Sequence, residues 1–474
     1  MADLGLRTLD GAVKTIRAEE LQAFGAELRG VLIDANSPDY DQARTIWNAM
    51  IDRRPGLIAR CCGAADVMSA VRFAREHGVV VAVRGGGHNI AGNGICDGGL
   101  VIDLSPMKSV RVDPAAQRAW VEPGATLADV DKETQAFGLA MPTGINSTTG
   151  IAGLTLGGGF GWITRKFGLT IDNLISADLV TADGKWLQAS AAQNADLFWA
   201  LRGGGGNFGI VTGFTFQLHK LASQVLTGLV VHPLADATDL LPQYRRVIAD
   251  APDDLTCWVV MRKAPPLPFI PAAWHGREVV ILAMCFIGDT GDGEKALAPL
   301  RALGRPVAEF VGPAPFIAWQ AAFDGLLTPG ARNYWKSHDL VELSDKVIAV
   351  AVDGVSNLPG PECEVFLAHV GGAAGRVARD ATAFPQRSTH FVMNVHARWR
   401  EVGMDDACIS WAKALFSAAA PYSSGTAYVN FMPYDEPERV QAAYGANYRR
   451  LSDIKRRYDP QNFFRMNQNV RPAA

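Results

Sequence analysis

The chain has 474 residues, enough for about three units of roughly 150 residues with substantial buried cores. Hydrophobic residues make up 48% and charged residues 20%, as in ordinary globular proteins. A net charge of −3 excludes the strongly basic surface that nucleic acid or an anionic membrane would require.

Three further absences narrow the class of protein. The seven cysteines include no C-x-x-C pair, so buried thiols are favoured over a zinc site or a disulfide framework. No apolar run approaches the ~20 residues of a membrane span, and the N-terminus lacks the pattern of a signal peptide. We therefore expect a cytoplasmic protein with no metal and with neither nucleic acid nor a membrane as partner.

The first 100 residues carry a β-α-β pattern. Helical periodicity in residues 1–50 predicts an entry arm, and residues 57–61 read as a short strand. Asp66 can cap a helix that ends at Gly78. The run 79–83 of small or β-branched residues then predicts a buried strand, which ends in Gly85-Gly86-Gly87 and His88.

Glycine is concentrated in segments 84–99, 144–168 and 203–213. Residues without a Cβ allow backbone N–H groups to surround a phosphate closely, where a side chain would block it. A tight turn followed by an unrelated histidine explains the first segment equally well by itself. Three such segments together indicate loops that converge on one ligand.

A nicotinamide-binding fingerprint also has to be considered, because Gly204, Gly206 and Gly209 satisfy G-x-G-x-x-G. That fingerprint requires a strand before it and a helix after it. Here a predicted helix at 194–201 precedes the glycines and a predicted strand at 210–216 follows them. We therefore reject a Rossmann site.

From about residue 224 the pattern changes to long strands alternating with helices. Strands are predicted at 225–231, 257–261, 279–287, 364–369 and 390–396, with helices at 234–248 and 406–419. Long antiparallel strands with helices on one side indicate a separate α+β domain.

Four motifs in this order resemble the berberine-bridge-enzyme-like FAD-linked oxidases, within the vanillyl-alcohol-oxidase or p-cresol-methylhydroxylase (PCMH) class. They are R-G-G-G-H at 84–88, the glycine loop at 150–161, L-F-W-A-L-R-G-G-G-G-N-F-G at 197–209 and D-P-Q-N-F-F at 459–464. The resemblance covers residues 40–220 and 425–470, whereas the middle of the chain is similar only in its general pattern.

The resemblance implies an α+β, two-domain PCMH-type fold. An FAD-binding domain would span residues 1–222, with its core at 51–222, and a substrate domain with helices on one side of an antiparallel sheet would span 223–420. Residues 421–474 would return to the FAD domain.

The same resemblance implies which residues hold the cofactor. His88 would be joined covalently to the 8α-methyl carbon of FAD, and neutral imidazole is a competent nucleophile near pH 7. The other expected FAD contacts are Arg84, Gly85, Gly86, Gly87, Asn89, Ile90, Asn146, Ser147, Thr148, Thr149, Gly150, Gly153, Gly159, Ile210 and Asn462.

Asn146 marks a departure from many relatives, which carry there a cysteine that attaches the flavin a second time. We therefore expect a single attachment, through His88, and a tighter site than relatives that oxidise saccharides. Thr149 occupies the position that controls oxygen access in the family, and its shape resembles that of the permissive valine. Packing alone explains Thr149 equally well.

The expected reaction is removal of a hydride from a C–H next to an alcohol or amine of a small organic substrate, with O2 as acceptor and H2O2 as product. Tyr428 and Asn430, expected on one face of a strand, are the catalytic candidates, and Tyr428 would act as base or as hydrogen-bond donor. His390, Asn394 and His396 are candidate substrate contacts. The alternatives are a dehydrogenase with another electron acceptor, a nicotinamide-dependent reductase, and a flavin-binding protein without turnover.

Overall fold

The structure is a computed structural model that describes residues 2–474. Within it, residues 2–222 form two sheets, two short two-stranded ribbons and seven α-helices. The strands are β1 (Leu4–Arg7), β2 (Val13–Ile16), β3 (Val31–Ile33), β4 (Leu57–Arg60), β5 (Val81–Arg84), β6 (Leu100–Asp103), β7 (Val110–Asp113), β8 (Arg118–Val121), β9 (Leu139–Ala140), β10 (Leu174–Val180), β11 (Trp186–Ser190), β12 (Ile210–Gln217) and β13 (His219–Lys220). The helices are α1 (Ala18–Glu27), α2 (Tyr40–Arg44), α3 (Ala64–His77), α4 (Leu127–Gln135), α5 (Ile151–Leu156), α6 (Thr164–Phe167) and α7 (Ala195–Leu201).

A four-stranded sheet ordered β3-β4-β6-β5 contains the predicted β-α-β unit, with β4, β5 and β6 parallel and α3 as the crossover. Strand β5 ends at Arg84, so residues 85–88 follow directly at the carboxyl end of this strand. The predicted cap was wrong. Gly63 precedes α3, while Asp66 lies in its first turn and accepts the backbone N–H groups of Arg29, Gly30 and Cys62.

A five-stranded antiparallel sheet ordered β11-β10-β12-β8-β7 forms the rest of this half. The glycine-rich segment 202–209 lies between helix α7 and strand β12. This order is the reverse of a Rossmann turn, in agreement with the sequence argument.

The second half is built on one antiparallel seven-stranded sheet, ordered β17-β14-β16-β15-β19-β20-β18. Its strands are β14 (Gln224–Pro233), β15 (Leu255–Lys263), β16 (Glu278–Phe286), β17 (Ala308–Pro315), β18 (Arg332–Leu340), β19 (Glu364–His369) and β20 (Phe391–Trp399). Its helices are α8 (Ala237–Ala249), α9 (Thr290–Arg301), α10 (Phe316–Gln320), α11 (Asp345–Ser356), α12 (Ala373–Arg376) and α13 (Asp405–Ala419).

The two faces of this sheet have different partners. Alternate residues of β20, such as Met393 and Val395, pack with α8, α9, α11 and α13 in a core on one face. The other face, including Trp258 and Val392, packs on Phe160 and Trp162 of the first half. The predicted α+β class, with helices on one side of an antiparallel sheet, is confirmed.

The last segment returns to the first half through α14 (Val440–Tyr444) and α15 (Tyr448–Tyr458). Lys455 is fully buried, and its Nζ donates to Asn207 O at 2.6 Å, Asp459 Oδ2 at 2.6 Å and Phe464 O at 2.8 Å. This cation therefore ties the tail to the third glycine segment. Within residues 2–474, no helix combines the length and apolar character needed to cross a membrane.

Candidate active site

Two of the glycine segments touch through their backbones. A Cβ on Gly86 would lie only 2.5 Å from both Cα and N of Gly150, closer than real Cβ contacts allow. Gly87 adopts a φ of +70°, which favours glycine. The loops after β5 and before α5 can therefore approach each other only because both positions lack side chains.

These loops open into a cavity of about 370 Å³ between the two halves of the chain. Its wall includes most of the residues expected at the cofactor, namely Arg84, Gly85, Gly86, Gly87, His88, Asn89, Asn146, Thr149, Gly150, Gly153 and Ile210. The tail contributes residues that sequence reasoning missed, and these are Phe464, Met466, Asn467 and Gln468.

Five of the expected cofactor residues lie outside the cavity wall. Ile90 is buried and its carbonyl accepts from Asn48, while Ser147 is held by Asp324. Thr148 contacts His88 from outside the wall, and Gly159 donates its N–H to the Tyr428 hydroxyl at 3.0 Å. Asn462 adopts a φ of +50° in the turn before Phe463, which directs the later tail residues into the cavity instead.

The His88 ring is fixed on two sides. Its Nε2 lies 2.9 Å from Thr148 Oγ1, and the indole of Trp47 stacks on it with a centroid distance of 4.9 Å and an interplanar angle of 23°. Burial lowers the pKa of His88 to about 3, so the imidazole is neutral at physiological pH. A neutral imidazole retains one nitrogen lone pair for bond formation.

The predicted strand at 428–431 was wrong, because residues 429–431 form a single 3₁₀ turn in which Phe431 N donates to Tyr428 O. The two catalytic candidates nevertheless meet at the cavity. Asn430 Nδ2 donates to the Tyr428 hydroxyl at 2.8 Å. Burial raises the pKa of Tyr428 to about 12, although the hydrogen bonds from Asn430 and Gly159 oppose this.

The roof of the cavity is aromatic and comes from the inner face of the seven-stranded sheet. Trp258 and Phe366 lie parallel at a centroid distance of 5.9 Å, and Phe431 meets Phe366 and Trp335 edge-on. The sequence argument assigned no role to Trp258, Phe366 or Phe431. For Trp258 and Phe366 the available signal was the two-residue alternation along correctly predicted strands, whereas Phe431 lies in the turn that was predicted as a strand.

The apolar roof is interrupted by one buried ion pair, Arg262 with Glu364. Arg262 Nη1 donates to Glu364 Oε2 at 2.6 Å, and His396 Nδ1 lies 3.1 Å from Glu364 Oε1. Burial would raise the pKa of Glu364, but Arg262 and His396 outweigh it and hold this pKa at about 2. Burial lowers the pKa of His396 against the opposing effect of Glu364. The roof therefore carries a neutralised ion pair beside a neutral imidazole.

Of the three expected substrate contacts, the structure brings only His396 to the cavity. Asn394 shares its face of β20 but is fully buried between its cross-strand neighbours Ser337 and Phe366. His390 precedes the strand and is exposed, with its backbone N–H bonded to Leu340.

Comparison with known proteins identifies this arrangement. A family model described as FAD binding domain matches residues 55–190, and one described as berberine and berberine like matches residues 427–471. The FAD-linked oxidoreductase YgaK of Bacillus subtilis is 32% identical over 456 residues, covering 94% of this chain and 98% of the relative. The chain is a berberine-bridge-enzyme-like FAD-linked oxidoreductase.

One further relative and two solved structures are also informative. The (R)-6-hydroxynicotine oxidase of Paenarthrobacter nicotinovorans is 32% identical, covering 94% of this chain and 98% of the relative. The solved structure of 6-hydroxy-D-nicotine oxidase from Arthrobacter nicotinovorans aligns with a TM-score of 0.84 at 28% identity, over 94% of this chain and 98% of that one. Berberine-bridge-like protein 1 of Physcomitrella patens aligns with a TM-score of 0.86 at 25% identity, covering 96% of this chain and 99% of that one.

The cavity fits the FAD that characterises this family. The close contact of Gly86 with Gly150 keeps side chains out of this part of the wall, and Arg84 lies in the same wall. The aromatic roof suits one face of a flavin or a substrate stacked above it. His88 and Tyr428 line the same cavity, so its wall offers both a nucleophile and a hydroxyl to a bound flavin.

Proposed function

We propose that the chain is an oxidase whose FAD is covalently attached through His88 alone. Its reaction removes a hydride from a C–H next to an alcohol or amine of a small, largely apolar molecule. FAD held by these residues would supply the hydride acceptor. The two electrons, together with the hydride hydrogen and the proton of the alcohol or amine, would reduce O2 to H2O2. The main support for the proposal is that neutral His88 lies beside the contact of Gly86 with Gly150, in a cavity with an aromatic roof.

Attachment through a single residue is supported by the composition of the cavity wall. With a pKa lowered by burial to about 3, His88 is neutral at physiological pH and therefore has one free nitrogen lone pair. Asn146, at the position where many relatives have a cysteine, lines the cavity, and among residues 2–474 no cysteine does so. The amide of Asn146 is not a nucleophile that could form a second bond.

The roof supports a largely apolar substrate over a saccharide. A saccharide requires several hydrogen-bonding partners, whereas the roof is mostly aromatic and aliphatic. Its one ion pair, Arg262 with Glu364, is already mutually satisfied. Hydroxynicotine, after which the (R)-6-hydroxynicotine oxidase is named, is consistent with this class. A chitooligosaccharide oxidase aligns at only 24% identity and indicates the fold alone.

The chain's own polar groups would orient the substrate. With its pKa near 12, Tyr428 keeps its proton at neutral pH and donates a hydrogen bond, while Asn430 and Gly159 fix its oxygen. His396 would present a neutral imidazole from the roof, oriented by Glu364. Thr149 lines the cavity, where its small side chain would leave O2 a path to the ring.

Acid precipitation followed by peptide mapping tests the attachment. The purified protein should give a yellow pellet, and trypsin should release one flavin-bearing peptide, residues 85–108, which contains His88. Asn146 lies in a different tryptic peptide, 133–165, so a second attachment would be visible separately. A colourless pellet with all the flavin in the supernatant would contradict the proposal.

Peroxide release from a substrate panel tests the reaction. Apolar ring-bearing alcohols and amines should reduce the flavin without oxygen and then release H2O2 when air is admitted, whereas chitooligosaccharides should do neither. The His88→Ala variant should retain less flavin through acid treatment and serves as the control for attachment. A flavin that stays reduced in air, but is reoxidised by an artificial electron acceptor, would identify a dehydrogenase.

A further inference from the structure

A short chain of hydrogen bonds leads from His88 to the residue that replaces the second attachment point. His88 Nε2 lies 2.9 Å from Thr148 Oγ1, which donates to Asn146 Oδ1 at 2.8 Å. The backbone N–H of Thr148 donates to the same oxygen at 3.2 Å. Because a backbone N–H can only donate, it fixes which end of the Asn146 amide faces Thr148.

This arrangement determines where the proton of His88 lies. The single hydroxyl proton of Thr148 is committed to Asn146, so Thr148 Oγ1 can only accept from His88. The proton of the neutral imidazole is therefore on Nε2 and the lone pair is on Nδ1. Within the described residues 2–474, no protein group hydrogen-bonds to Nδ1.

The plane of the ring is fixed independently by Trp47. Its indole stacks on His88, its backbone N–H donates to Gly87 O at 3.1 Å, and its Nε1 donates to Leu327 O at 3.0 Å. The stacking fixes the plane of the ring, while the bond to Thr148 selects the tautomer within that plane. Neither contact occupies Nδ1.

We infer that Asn146 and Thr148 are positioning residues for flavin attachment, because they hold His88 in the tautomer whose Nδ1 forms the bond to FAD. The inference rests on the proposed covalent attachment and adds to it which nitrogen reacts and what prepares it. In many relatives the residue at this position forms a second bond to the flavin. In this chain Asn146 instead orients His88, which forms the first bond.

The overall step balances with O2 as oxidant. A bond forms between Nδ1 and the 8α-methyl carbon, and one C–H bond of that methyl group breaks. Thr148 Oγ1 is the first acceptor available to the proton that leaves Nε2. The two electrons of the broken C–H bond reach O2 and, with the methyl proton and the Nε2 proton, give H2O2.

Removal of the Thr148 hydroxyl tests the inference, with covalent incorporation as the readout instead of turnover. Apoprotein from a flavin-depleted host is mixed with FAD in air, and the flavin retained by peptide 85–108 after denaturation is followed with time. Thr148→Val should slow incorporation at least tenfold while still binding acid-releasable FAD, and Thr148→Ser should stay within about threefold of wild type. Folding is checked by the thermal midpoint, and Thr148 is exposed enough for either change.

Asn146→Ala provides an independent test. Without the amide oxygen, the Thr148 hydroxyl can rotate and donate to Nε2, which favours the tautomer with its proton on Nδ1. Incorporation should slow, and Asn146→Ala combined with Thr148→Val should be no slower than Thr148→Val alone. Incorporation at the wild-type rate in Thr148→Val would overturn the positioning role and leave the covalent attachment intact. Complete release of flavin by the wild type would overturn both.

Discussion

At the scale of single residues, burial keeps Tyr428 protonated and so makes it a hydrogen-bond donor. Its hydroxyl oxygen accepts hydrogen bonds from Gly159 N at 3.0 Å and from Asn430 Nδ2 at 2.8 Å. These bonds favour the phenolate, but desolvation is the larger effect and raises the pKa of Tyr428 to about 12. The phenol therefore remains protonated, and its one hydrogen is free to donate to a ligand in the cavity.

Tyr428→Phe should lower kcat about 100-fold without changing the form of the pH profile between about pH 6 and pH 10. The variant keeps the ring and loses the hydroxyl, which is the donor to the ligand and the acceptor for Gly159 N and Asn430 Nδ2. Because Tyr428 stays protonated up to about pH 12, the variant removes no ionisation within that range. Stopped-flow reduction of the flavin over this pH range measures the effect. If the kcat of the wild type increased towards alkaline pH, and this increase was absent from Tyr428→Phe, Tyr428 would be a base instead of a donor.

Residue-level prediction succeeded where local chemistry was sufficient. Glycine-rich segments predict loops that converge, and Gly86 indeed meets Gly150 at a distance that any Cβ would prevent. Asn462 shows the limit of such reasoning. It adopts a left-handed turn conformation, and the turn carries Phe464 and Met466 to the cavity in its place.

At the scale of secondary-structure elements, strand β18 shows why part of the sheet escaped sequence analysis. Its interior contains Lys336, His338 and Asp339, all buried, and side chains of these types are rarely buried. Their partners are remote in sequence, since Lys336 pairs with Glu436, His338 bonds to Phe416 O and Asp339 accepts from Thr426. Strands β14, β15, β16, β19 and β20 are mostly apolar and were predicted. The buried Arg262, Glu364 and His396 on three of them are partners of one another within the sheet.

Arg262 and Glu364 lie opposite each other where β15 pairs with β19, and Glu364→Gln should destabilise the apoprotein by about 3–5 kcal/mol because Arg262 would lose its partner charge. The pKa of Glu364 is about 2 in the folded chain, below its unfolded value of about 4.3. The stabilisation is therefore complete above about pH 4.3 and declines as the pH falls towards 2.

Urea unfolding of wild type and Glu364→Gln measures this difference, which should shrink as the pH is lowered from about 5 to about 2.5. Glu342→Gln, in the exposed turn after β18, is the matched control and should change stability by less than about 0.5 kcal/mol. Equal stabilities of wild type and Glu364→Gln at neutral pH would show that the ion pair contributes nothing net.

At the scale of the whole molecule, the cavity exists because three distant parts of the chain meet. The wall combines glycine loops of the first half, the inner face of the seven-stranded sheet and the tail. Alternation along β15 predicts that Trp258 and Arg262 share a face, but it does not tell which face turns towards the glycines. That choice is made by packing against Phe160 and Trp162, which no local pattern encodes.

Asn48 joins three regions of the molecule at one buried side chain. Its Nδ2 donates to Ile90 O at 3.1 Å and to Asn333 O at 2.9 Å, while its Oδ1 accepts from Asn333 N at 2.9 Å and from Met50 N at 3.1 Å. The entry arm, the loop that follows His88 and strand β18 are thereby connected. Asn48→Ala would leave these backbone groups buried without partners.

We expect Asn48→Ala to destabilise the apoprotein by at least about 2 kcal/mol, whereas Asn357→Ala, which removes an exposed side-chain bond, should have an effect below about 0.5 kcal/mol. Hydrogen exchange followed by mass spectrometry should show residues 44–50, 88–92 and 331–335 losing protection together, because one side chain connects them. Amides of α11 and α13, which pack on the opposite face of the sheet, should stay protected. Loss of protection confined to residues 44–50 would show that Asn48 anchors only the arm, and the coupling of the two halves at this point would have to reside in other contacts.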